Sequence, residues 1–168
     1  MFHWILSMIF ALAPNSPYRD TFEATAHAID EVSHETPIYL GEDGPERTAA
    51  TLVAVAFFES SFDPGAIKDD KGGDSVGLEQ INVSNLKWLG MKKEDLLDPK
   101  KNLQAAVRLM KASLRMCAGR PSLERLGHYA AGGPNCSVQA GLVASRNRLA
   151  LAKTLLEQHP TYWADSTN

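Results

Sequence analysis

The chain has 168 residues, enough for one domain with a full core and too few for two comfortable ones. Hydrophobic residues at 44% and charged residues at 22% are ordinary for a soluble globular protein. A net charge of −3 argues against a nucleic-acid partner, which calls for a basic face. It also means that an anionic polymer must be held by hydrogen bonds and shape.

Met1 to Ala13 is apolar apart from His3 and Ser7. The run is short of the roughly twenty residues that span a bilayer. Ala11-Leu12-Ala13 has the small-x-small pattern of a signal cleavage site, although no Lys or Arg precedes it and Pro14 would follow the cut. An export signal or short anchor is favoured over a packed first segment, and periodicity does not separate the two. Residues 1–17 are therefore taken as an apolar segment and loop, 18–160 as a single domain, and 161–168 as a polar tail.

Tyr18 to His34 reads as a helix, with Phe22, Ala26 and Ile29 at steps of three or four, and Thr36-Pro37 ends it. The next helix starts at Pro45, with Asp43 or Gly44 as its cap, and runs to about Ser61. Its second half, Ala49 to Phe58, is apolar almost all round, which marks the buried central element. Ala66 to Asn82 lacks helical periodicity and reads as a small hairpin about Gly72-Gly73, the one expected strand region. Val83 to Leu89 is a short helix capped by Ser84 and ended by Gly90, and Asp98-Pro99 opens a long one. Ser122 to Ala131 is a further short helix, closed by Gly132-Gly133-Pro134, and the last helix runs from about Cys136 to Gln158.

Cys117 closes one helix and Cys136 opens another, across a loop that must return to the same region. A bridge there would stabilise by about 3 kcal/mol on the loop-entropy model. Two buried thiols are the alternative; a bridge would fit an oxidising compartment and support export.

Chemistry concentrates at Glu59, on the last turn of the apolar helix. Phe57, Phe58 and Phe62 flank it, and a helix C-terminus disfavours negative charge, so its carboxyl is expected to hold a proton more tightly than usual. A carboxylic acid of that kind can protonate the poor leaving oxygen of a glycosidic bond near neutral pH.

Glu59-Ser60-Ser61-Phe62-Asp63-Pro64, then Gly77-Leu78-Glu79-Gln80-Ile81-Asn82, then Tyr129-Ala130-Ala131-Gly132 resemble the three ordered motifs of the SLT-type (soluble lytic transglycosylase) domain. Leu97-Asp98-Pro99-Lys100-Lys101-Asn102-Leu103 resembles that family's entry into the helix after the hairpin, so the likeness spans residues 45 to 155. The resemblance implies a predominantly helical, lysozyme-like α+β fold and peptidoglycan glycan strands as substrate. It implies that Glu59 serves as acid and then base in cleaving the bond between N-acetylmuramic acid and N-acetylglucosamine. The muramic 6-hydroxyl is then the nucleophile, and the product carries a 1,6-anhydro end. An internal nucleophile removes the need for a second carboxylate. No cofactor or metal is required.

Gln80 has both donor and acceptor for acetamido or hydroxyl groups, Tyr129 can hydrogen-bond the Glu59 carboxyl or serve as a core residue, and Ser75 is a further cleft candidate. The chain departs from the family pattern where Glu79 replaces a usual apolar residue and Ala130 a usual Asn. On a strand, Glu79 would point outward; facing the cleft, it or Asp74 would make hydrolysis by water credible. Asp74 reads first as a turn residue, His128 as an ordinary histidine beside the cleft, and Trp88 as a core seal or sugar platform. A lysozyme-type hydrolase and a non-catalytic glycan-binding or assembly module are the alternatives. The expected location is exported, periplasmic or envelope-associated, with secretion, conjugation or phage assemblies as partners and membrane contact only through the N-terminal segment.

Overall fold

A computed structural model describes residues 1–70, 72–132 and 136–158, without the side chain of Asp70; the polar tail at 161–168 lies outside the described residues. Seven α-helices are present among them: α1 (Phe2–Leu12), α2 (Phe22–Glu35), α3 (Gly44–Ser60), α4 (Leu86–Leu89), α5 (Pro99–Met116), α6 (Gly127–Ala131) and α7 (Gln139–Glu157). Three short strands, β1 (Ile67–Asp70), β2 (Gly73–Val76) and β3 (Ile81–Asn82), lie between α3 and α4. The architecture is the expected lysozyme-like α+β class, dominated by helices.

Helix α3 is the axis. From Thr48 to Ala56 every side chain is buried, because α7, α2 and α1 pack around it. Each fully buried Leu or Val contributes about 1.5–3 kcal/mol relative to exposure. Thr48 ties its entry: the hydroxyl donates to Gly44 O at 2.8 Å and accepts from Ile38 N at 2.8 Å. Its exit is sharp, with Ser61 and Phe62 at φ 54° and 65°. Two successive non-glycine residues in the left-handed region cost about 1–3 kcal/mol each, held here by the fully buried Phe62 ring.

The sheet differs from a simple hairpin. β1 and β2 pair antiparallel with Lys68 opposite Ser75, and β3 adds a third antiparallel strand with Asn82 opposite Ser75. Residues 77–80 form the turn between β2 and β3, so strand alternation does not govern Glu79. The helix over residues 83–89 is a 3-10 turn followed by α4, and its cap is Asn82, whose side chain accepts from Ser84 N, rather than Ser84. The expected helix over 122–131 likewise breaks into a 3-10 turn, Ser122–Glu124, and α6.

Helix α1 packs on α2 and α3, with Ile5 and Ile9 fully buried and the Phe10 ring edge-on to Phe22 at 5.2 Å. No described helix is long and apolar enough to cross a membrane. Cys117 and Cys136 are bridged, with Cα atoms 5.6 Å apart. The bridge ties the end of α5 to the segment that leads into α7.

Candidate active site

A cleft of about 760 Å³ opens between the C-terminal end of α3, the sheet and α6. Glu59, Ser75, Glu79, Gln80 and Tyr129 all line it, together with Lys68, His128 and Ala130. That volume is in the range of specific ligand sites.

Glu59 reaches the cleft because α3 ends there. Its Oε1 accepts from Arg148 Nη2 at 2.7 Å, with both side chains largely shielded from water. The Arg148 guanidinium also lies 5.8 Å from the centre of the Phe58 ring. A cation in contact favours the ionised carboxylate, opposing the apolar surroundings expected from the sequence. On the other side, Lys68 Nζ donates to the Glu59 backbone carbonyl at 2.6 Å, tying β1 to the end of α3.

The β2–β3 turn is held from below by Asn102 of α5, a fully buried side chain. Its Nδ2 donates to Val76 O and Leu96 O, both at 2.9 Å, and its Oδ1 accepts from Glu79 N at 2.9 Å. Asn102 thus satisfies one backbone group of the turn, Glu79 N, together with Val76 O at the end of β2 and Leu96 O in the 3-10 turn Lys93–Leu97. Gln80, at φ 47°, directs Nε2 to Gly77 O at 2.9 Å and Ala66 O at 3.2 Å. Its amide donor braces the turn, and its Oε1 has no hydrogen-bond partner among the described residues.

Glu79 is where expectation and structure part. The side chain is 1% exposed and lines the cleft rather than pointing outward. Tyr129 Oη donates to Glu79 O at 3.0 Å and lies 3.4 Å from Glu79 Oε2, while Glu79 Oε1 is buried without a partner among the described residues. Burial, and then the nearby Glu59 charge, push the Glu79 carboxyl well above the usual glutamate range, against the pull of Arg148 and Tyr129. Tyr129 is raised for the same first reason, burial, followed by the charges of Glu79 and Glu59. The tyrosine hydroxyl therefore serves Glu79. Its own position is set by α5, whose Ser113 Oγ accepts from Tyr129 N at 3.1 Å and donates to Arg125 O at 2.9 Å.

Asp74 does not contribute a carboxylate to the cleft: it is a strand residue on β2 rather than a turn residue, paired with Lys93. Trp88 is half-exposed beneath Arg108, outside the cleft. Arg148 had no place in the sequence reading. Its only signal is position, one residue before Leu149 and three after Ser145 on the buried stripe of α7, where a cation needs a partner. Among the described residues no cluster of His, Cys, Asp and Glu could hold a metal ion.

Residues 41–148 match the family model of the transglycosylase SLT domain, well over half of the chain. The chain belongs to this family. Its activity at family level is that of a peptidoglycan transglycosylase, acting on a substrate that lies outside the cytoplasm. The matched stretch begins just before α3 and ends at Arg148, so it contains every cleft residue named above. No curated protein and no solved structure matches the chain significantly.

Proposed function

We propose that the protein is a lytic transglycosylase in which Glu59 alone carries acid and base catalysis at the bond between N-acetylmuramic acid and N-acetylglucosamine. Protonated Glu59 gives its proton to the leaving glycosidic oxygen. The resulting carboxylate takes the proton of the muramic 6-hydroxyl as that oxygen attacks the anomeric carbon. The C–O bond to the leaving sugar breaks, the intramolecular C–O bond forms, and the product is a 1,6-anhydro end without consumption of water.

The observation that carries this reading is the place of Glu59 in the cleft, at the end of α3 and within the residues that match the family. Glu59 is paired with a guanidinium, whereas Glu79 is buried and biased toward its neutral form. A neutral Glu79 is no nucleophile and no base for water, but it can donate a proton opposite an ionised Glu59; that polarity favours the lysozyme-type hydrolase as the second reading, which product analysis separates from the first. Ser75 and the Gln80–Tyr129 wall supply the polar contacts for the glycan. Lys68 gives the cleft a cation for an acidic substituent of the polymer, in a chain whose net charge is otherwise negative.

Purified peptidoglycan digested with the wild-type protein is expected to release anhydro-terminated muropeptides, read by mass spectrometry. Glu59→Gln is expected to lower release by at least about a hundredfold while the circular dichroism spectrum and Tm persist. Reducing muramic ends would instead identify a hydrolase, and binding without turnover would identify a glycan-binding module.

A further inference from the structure

Glu79 is a buried acid for which the single-glutamate reaction has no use. It occupies the middle of a motif at a position where an apolar residue would fill the same space without desolvating a carboxyl. The backbone around it is fully braced, by Asn102 at its N–H and by Tyr129 at its carbonyl, so the carboxyl is not needed to hold the turn. Among the described residues its Oε1 is left without a partner in the lining of the cleft that also holds Glu59. Meanwhile Glu59, the proposed acid, sits in contact with Arg148, which favours the form that has no proton to give.

We propose that Glu59 and Glu79 work as a carboxyl pair sharing one proton, with Glu79 the positioning residue that holds that proton while Arg148 occupies Glu59. This rests on Glu59 being the acid of the reaction. At rest the charge is on Glu59 and the proton on Glu79. When glycan fills the cleft, the Glu79 O–H bond breaks and an O–H bond forms on Glu59, directly or through one hydroxyl or water. The net charge of Glu59, Glu79 and Arg148 together is unchanged, so the transfer requires no counter-ion and no co-reactant. Glu59 then protonates the leaving oxygen, regains a proton from the 6-hydroxyl, and returns it to Glu79 when product leaves.

The groups around the pair support this direction. Arg148 approaches from α7, Tyr129 and His128 from α6, and Lys68 from β1, while α5 presents the neutral Asn102. Burial and the Glu59 charge both favour the proton on Glu79 at rest, consistent with the raised carboxyl described above. Apolar replacements would leave Glu59 to keep its proton against Arg148 unaided.

The test compares wild type with Glu79→Gln and Glu79→Met on purified peptidoglycan across the pH range, with Tm measured for each. The alkaline limb of kcat/KM reports loss of the acid's proton. It is expected to move to lower pH by about one unit or more in both variants, a roughly tenfold loss on the alkaline side with KM little changed. A limb that stays in place, with a uniform drop in activity, would mean Glu79 is only structural and overturns the proposal. If neither variant folds, the resting wild-type protein decides: infrared spectroscopy at neutral pH should show the carbonyl band of a protonated carboxylic acid, and its absence overturns the proposal. Loss of activity in Glu59→Gln with an unmoved limb in the Glu79 variants would leave the transglycosylase reading intact. Retained activity in Glu59→Gln would overturn both.

Discussion

At the scale of single residues, Glu79 carries a cost that can be measured apart from catalysis. Its carboxyl is raised in the folded protein, so between the ordinary glutamate range and the folded value the native state binds more protons than the unfolded chain. Stability from this group is fully present at acid pH and is lost as pH rises through that window, by up to about 1.4 kcal/mol per pH unit. Glu79→Gln keeps the shape and has no such dependence. Denaturant unfolding at pH 4 and pH 8 should therefore show the variant gaining on wild type as pH rises. A difference that is constant with pH would mean that Glu79 ionises normally. The sequence exposed Glu79 as an oddity of the motif but not its environment, because burial there depends on α6 and on Tyr129, 50 residues further along the chain.

At the scale of elements, the site rests on how the β2–β3 turn seats on α5. Gly77 has φ 79°, and a Cβ at that position would lie 2.2 Å from Asn102 Nδ2 and 2.3 Å from Leu96 O. Neither atom can move cheaply, since the same Asn102 Nδ2 bonds Val76 O and Leu96 O. Gly77→Ala is expected to cost at least about 2 kcal/mol, from backbone strain and displacement of Asn102, and to lower kcat as Glu79 and Gln80 shift. Chemical denaturation and muropeptide release check the two effects. The long helices were legible from their apolar steps and from Asp98-Pro99, where Asp98 Oδ1 accepts from Lys101 N at 2.9 Å as a cap should. The third strand was not legible: β3 has two residues, too few for any periodicity, and follows a turn whose conformation is imposed by α5.

At the scale of the whole molecule, the disulfide and α7 close the fold around the cleft. The Cys117–Cys136 bridge spans 19 residues and brackets α6, which carries Tyr129. Ser145 of α7 adds two polar pins there, accepting from Leu126 N at 3.0 Å and donating to Leu123 O at 2.7 Å. Replacing both cysteines by serine is expected to lower stability by about 3 kcal/mol and Tm by several degrees, measured by calorimetry. Loss of activity should exceed loss of fold near the midpoint of unfolding if α6 loosens first. Equal loss of both would show that the bridge stabilises the molecule uniformly.

What the sequence by itself determined is local: an apolar helix that must be buried, an acid at its end, and three motifs in a family order. These survive translation into structure because each depends on residues within a turn or two of one another. What only the tertiary structure decided is the electrostatics of the cleft. Arg148 meets Glu59 across 89 residues, and Tyr129 meets Glu79 across 50. No periodicity records such pairings, since they arise when α7 and α6 close over α3 and the sheet. The proton a carboxyl holds is set by those distant charges and by burial, so the acid was visible in the chain and its partner was not.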